Sequence, residues 1–183
     1  LAPPKKWHGM VRDGIAYALN YIKPIKQYLL EMRFKPMPKY QDGALLASSD
    51  VNSPVGKMFI QPQVQLESGE TVLLDQVLGN DFAILAWGVN PTWGMSESTM
   101  QKWQSLGVKF IQVIPAVQLN QPNRKQYDGV ITIGDLGTDI RTWFGKTRES
   151  VVILRPDRFV AAMAIPQSVD QTSQQLFDKL HIQ

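Results

Sequence analysis

Apolar and polar positions fall in blocks along the chain. Residues 82–88 are apolar at every position. A loop through Val89-Asn90-Pro91-Thr92-Trp93-Gly94 follows, and a second apolar run covers 108–114. Between them the spacing predicts a helix from about Ser96, with Met100, Trp103 and Leu106 on its apolar side and Gly107 ending it. Runs that are apolar throughout suit strands buried on both faces, as in a parallel sheet. The block therefore reads as a strand–helix–strand unit, and the loop after its first strand is where such units place chemistry.

The rest of the chain groups around that unit. Before it, 64–66 and 71–74 read as a hairpin, and Asp75 is expected to cap a short helix over 76–78. After it come a polar loop (115–128), a short apolar run (129–133) and a helix within 135–144 that turns Ile140, Trp143 and Phe144 inward. A strand over 150–154, the turn Arg155-Pro156-Asp157-Arg158 and a returning strand over 159–164 make a second hairpin. Ser168 or Asp170 is expected to cap a last helix carrying Val169, Leu176, Phe177 and Leu180. A mixed sheet flanked by helices in this order is the thioredoxin-like arrangement. The fold class is α/β, without redox cysteines.

An N-terminal helical segment precedes it. Val11, Ile15, Ala18, Leu19 and Ile22 share a helix face within 9–22, Pro24 interrupts, and a second piece runs to about Met32. Two prolines then force an extended strap through Arg33, Phe34, Lys35, Pro36, Met37 and Pro38. The expected partition is 1–42 for helices and strap, 43–57 for a Gly-, Ser- and Pro-rich linker, and 58–183 for the thioredoxin-like domain.

Composition narrows the chemistry. The chain has 183 residues and no Cys, which excludes disulfides, thiolate metal sites and thiol catalysis within it. Its two histidines, His8 and His181, stand near opposite ends and read as surface residues rather than as a metal site or part of a triad. The net charge of +3 is uneven: residues 1–40 hold eight basic against two acidic side chains, the remainder eleven against fourteen. Those basic residues are spread among Pro and apolar positions, which favours a solvated or partner-facing segment over a nucleic-acid site. No apolar run approaches the ~20 residues of a membrane-spanning helix. The first residue is Leu, so a fragment or processed product is the expected origin.

Several candidate groups have a plainer reading. Arg155 and Arg158 could hold an anion, but a charged turn accounts for them. Asp135 and Asp139 could act as an acid–base pair, but capping by one of them is the simpler role. Trp87, Trp93, Trp103 and Trp143 could line a pocket, but strand and helix positions suit core or interface. Gly134-Asp135-Leu136-Gly137 lacks dinucleotide-fingerprint spacing, and the chain has no Gly-rich phosphate loop.

Longer strings carry a specific resemblance. Arg12-Asp13-Gly14, Glu31-Met32-Arg33-Phe34-Lys35-Pro36-Met37-Pro38, Pro54-Val55-Gly56-Lys57-Met58-Phe59-Ile60-Gln61-Pro62, Trp87-Gly88-Val89-Asn90-Pro91 and Arg155-Pro156-Asp157-Arg158-Phe159-Val160-Ala161-Ala162 occur in this order. From about Pro3 to Gln167 the chain resembles the C-terminal region of the 3-(3-hydroxyphenyl)propionate hydroxylases. These are flavin monooxygenases of the para-hydroxybenzoate and phenol hydroxylase group.

The resemblance implies a cytoplasmic parent enzyme of aromatic catabolism. It would use FAD, NADH and O₂ to hydroxylate its substrate ortho to the phenol, giving the 2,3-dihydroxy product. It implies an upstream flavin domain as partner and a homo-oligomer, while the charge spread and the short apolar runs already speak for neither nucleic acid nor membrane. The family's flavin motifs are absent from this chain, so no catalytic, cofactor or metal residue is carried over, and neither FAD nor NADH is expected on the fragment. Arg33, Lys35, Pro36 and Pro38 carry over as the strap joining the flavin domain to the C-terminal domain. The fragment is expected to be inactive alone. The alternative is a stand-alone, redox-inactive thioredoxin-like interaction module with residues 1–40 as its docking arm.

Overall fold

The computed structural model describes residues 38–48, 50 and 52–182. The helices expected over 9–32, and Arg33, Lys35 and Pro36 of the strap, lie outside the described residues; Pro38 is described and exposed.

Strand β3 (Ala83–Trp87), helix α2 (Glu97–Ser105) and strand β4 (Lys109–Pro115) form the predicted unit. The two strands pair in parallel, Ala83 opposite Lys109 and Trp87 opposite Val113. Strand β5 (Val130–Asp135) continues the parallel set beyond β4. On the other side β6 (Val151–Leu154) runs antiparallel to β3, and β7 (Val160–Ala164) pairs antiparallel with β6. The hairpin of β1 (Gln63–Leu66) and β2 (Thr71–Leu73) joins antiparallel to β5. The strand order among the described residues is β2-β1-β5-β4-β3-β6-β7.

Both faces of the sheet are covered, which explains the unbroken apolar runs. Leu85, Ile111, Val113 and Ile133 face helix α1 (Leu74–Leu78) and helix α3 (Asp139–Phe144), whose Val77, Ile140 and Phe144 complete one core. Ile84, Ala86, Phe110 and Ile153 face α2 and helix α4 (Val169–Leu180), with Trp103, Leu176 and Phe177 as the largest contributors. Each fully buried Leu, Ile, Val or Phe among them stabilises the fold by roughly 1.5–3 kcal/mol.

Two local expectations change. Asp75 does not cap the first short helix. That helix begins at Leu74, the Gln76 side chain accepts from the Leu73 N–H at 3.0 Å, and Asp75 turns to Arg158. The described parts of 43–57, residues 43–48, 50 and 52–57, read from composition as a linker, pack along β7. Leu46 N–H donates to Ala161, Gly56 N–H to Val160, and Val160 N–H to the Lys57 carbonyl, while Leu45 and Val55 are buried. An edge strand leaves donors and acceptors unpaired, and this segment satisfies them. Gly56 has φ +79°, and a Cβ there would lie 2.0 Å from the Tyr40 carbonyl oxygen, so glycine is required.

Candidate functional site

The carboxyl end of β3 and the start of α2 are where a thioredoxin-like fold offers chemistry. The connecting loop is tightly built. Asn90 Oδ1 accepts from the Thr92 N–H and hydroxyl, each at 2.9 Å, Pro91 is buried, and Met95 N–H donates to the Thr92 carbonyl. Ser96 is the N-cap of α2, its Oγ accepting from Thr99 N–H at 3.3 Å.

Asp170, from the first turn of α4, closes over this helix start. Its Oδ1 lies 2.8 Å from both the Ser96 N–H nitrogen and the Ser96 Oγ. The hydroxyl has one hydrogen, and the carboxylate, which can only accept, takes it. The Thr99 hydroxyl first, then the Ser96 N–H and hydroxyl, hold the Asp170 carboxyl below its ordinary range. Two further bonds tie the helices: Trp103 Nε1 donates to Ser173 Oγ at 2.9 Å, and Gln174 Nε2 to Thr99 Oγ1 at 2.6 Å. The positive end of α2 is thus already filled by an internal carboxylate. No Cys or His occurs in residues 82–180, so the loop supplies neither a thiol nor an imidazole base. Sequence reasoning missed this clamp because Ser96 and Asp170 are 74 positions apart; only the capping tendency of each residue was visible.

The other sequence candidates separate in space. Arg158 Nη1 lies 2.7 Å from both carboxylate oxygens of Asp75, and Arg155 pairs with Asp157 while its guanidinium stands 5.2 Å from the Tyr40 ring centre. The cleft beside them, about 270 Å³, also carries Asp81, so its cations are already matched by carboxylates. Asp135 is buried and its Oδ2 accepts from Arg141 N–H at 3.0 Å, which caps α3. Asp139 instead lines a groove with Thr142, Trp143 and Lys146. Trp103 is buried between α2 and α4. Trp143 packs against Phe59 and Phe144 at 4.5 and 4.9 Å, and Trp87 lies against the same core. Trp93 is 61 % exposed, so the four tryptophans line no common pocket. His181 ends α4 in a left-handed conformation, and His8 lies outside the described residues.

The topology and this empty-handed loop define a thioredoxin-like domain that lacks the thiol chemistry of its fold. A thioredoxin-like protein from Bacteroides caccae superposes with a TM-score of 0.52 at 15 % identity, over 66 % of this chain and 49 % of that one. The family is specific: residues 56–179 match the HcaD C-terminal domain model, and the chain belongs to that family. It is 52 % identical over 177 residues to the 3-(3-hydroxy-phenyl)propionate/3-hydroxycinnamic acid hydroxylase of Escherichia coli (strain K12), covering 96 % of this chain and 32 % of that protein. The chain therefore spans about a third of the length of the curated relatives it matches and corresponds to their C-terminal region. Aklavinone-11 hydroxylase, solved as a ternary complex with FAD and aklavinone, contains the same fold: TM-score 0.50, 16 % identity, 78 % of this chain and 26 % of that one.

The described residues do not fit a flavin or nicotinamide dinucleotide. Pyrophosphate seats on open helix N-termini. Every described α-helix carries a carboxylate in its first turn: Asp75, Glu97, Asp139 and Asp170. The start of α2 is closed by Asp170 as well. These groups suit the helix dipoles and would repel a phosphate.

Proposed function

We propose that the chain is the auxiliary C-terminal region of a flavin-dependent hydroxylase acting on 3-(3-hydroxyphenyl)propionate or a close phenolic acid. FAD and NADH are held by the preceding flavin domain, and O₂ supplies the new hydroxyl. The region itself braces that domain and contributes to subunit contacts, and it carries out no redox step. Residues 1–42 serve as the junction, with Arg33, Lys35, Pro36 and Pro38 as the strap against the flavin domain. The whole protein works in the cytoplasm as a homo-oligomer.

The observation that carries this reading is the 52 % identity across 96 % of the chain to a hydroxylase about three times as long. Support comes from a helix start sealed by Asp170, which leaves the fold's usual reactive position without a reactive group. The test is to isolate from its source the protein that contains this sequence, and to record its mass and visible spectrum. A flavin spectrum on a polypeptide of the relatives' length is expected. A native product of 20.6 kDa without flavin would overturn the reading.

A further inference from the structure

Trp93 is the most exposed tryptophan of the described residues, and the turn that presents it is tied by backbone contacts on both sides. Trp93 N–H donates to the Asn90 carbonyl, and Gly94 at φ +85° abuts the backbone of Pro166, where a Cβ would lie 2.6 Å from the carbonyl oxygen. Ile165, the residue before Pro166, is itself 44 % exposed. An indole and a branched aliphatic side chain thus stand in water on adjoining loops. Large side chains held this way are the usual anchors of protein interfaces.

Their own loops carry carboxylates and no cations. No Lys or Arg occurs from Gly88 to Gln101 or from Phe159 to Asp178, whereas Glu97 and Asp170 flank the two loops. Asp170 keeps its charge because its hydrogen bonds favour the ionised form. In a two-fold contact between copies this face would meet itself, setting carboxylates against a surface that also carries carboxylates, and like charges across an interface are unfavourable. The complementary surface is an apolar slot with a basic rim.

We infer that the Trp93–Ile165 face docks into an apolar slot, rimmed by Lys or Arg, on the flavin domain of the same polypeptide. This rests on the reading of the chain as the C-terminal third of a flavin hydroxylase. That reading supplies a covalently attached partner about twice the size of this chain.

The test uses the intact flavoprotein and the present chain alone, each as wild type and as Trp93→Phe. The wild-type minus Trp93→Phe difference isolates the Trp93 fluorescence. Acrylamide quenching of that component is expected to be strong in the chain alone and mostly lost in the intact protein. Glu97→Lys, which reverses a rim charge, is expected to restore it. Equal quenching of Trp93 in both proteins overturns the proposal. So does protection in the chain alone at the sedimentation mass of a dimer, which would assign the face to a second copy. If the intact protein shows no flavin absorbance, the parent assignment fails and the docking falls with it. Equal quenching in a protein that does show flavin removes the docking alone.

Discussion

Removing the Asp170 carboxylate tests how the reactive end of this fold has been closed. Asp170→Ala deletes the acceptor of the Ser96 N–H and Ser96 hydroxyl bonds, both at 2.8 Å, and takes the carboxylate away from the Thr99 hydroxyl as well. Ser96 still caps Thr99 N–H, and water reaches the half-exposed site, so the cost is that of a partial cap loss, about 1–2 kcal/mol. Asp170→Asn keeps an acceptor but removes the charge facing the positive end of α2, a loss of about 0.3–1 kcal/mol. Urea unfolding of wild type, both variants, Ser96→Ala and the double variant Ser96→Ala/Asp170→Ala measures these terms. A coupling energy of about 0.5–1.5 kcal/mol between the two sites is expected. The folded carboxyl titrates below its ordinary value near 3.8, so its stabilisation is present above that pH and is lost as pH falls through the folded value. The gap between wild type and Asp170→Asn should therefore be full at neutral pH and close as the folded carboxyl takes up its proton in acid. Additive single effects, or a gap that widens in acid, would refute the clamp.

Other consequences follow from the same geometry. Ser96→Cys places a thiol against the Asp170 carboxylate. Its alkylation by iodoacetamide should titrate above the ordinary thiol value of about 8.5 and shift downward in Ser96→Cys/Asp170→Asn; a thiol titrating below about 7 in the single variant would contradict the closed helix start. Ser173→Ala leaves the buried Trp103 Nε1–H without its acceptor and should lower stability by about 1–3 kcal/mol in urea titrations; a neutral result would show that the indole finds another partner. Gly56→Ala forces a Cβ toward the Tyr40 carbonyl and should cost more than about 1 kcal/mol, with a matching fall in melting temperature.

The core of the fold was legible because its signals are local. The apolar runs of β3 and β4, the Ser96 cap with Gly107 behind it, and the Arg155-Pro156-Asp157-Arg158 turn lie within a few residues of the elements they form. Features that depend on distant partners were not legible. Residues 43–57 have the composition of a linker, yet Leu46, Gly56 and Lys57 satisfy the free edge of β7 more than a hundred positions away. Asp75 looks like a cap until Arg158 is brought beside it by the hairpin turn, where Arg158 itself adopts φ +65°. Asp170 has the spacing to cap its own helix and instead closes another. The absence of thiol chemistry could be read directly, since no Cys exists, but the means by which the vacant helix start is filled required the structure.

The central claim is that this region contributes packing and contact, while the redox chemistry resides in the flavin domain. It is tested most directly by assaying the purified chain, supplied with FAD, NADH, O₂ and 3-(3-hydroxyphenyl)propionate, for substrate-dependent NADH oxidation and for flavin retained after gel filtration. The account predicts no substrate-dependent oxidation above the protein-free control and no retained flavin. Turnover that yields the 2,3-dihydroxy product, or stoichiometric FAD on the chain, would contradict it.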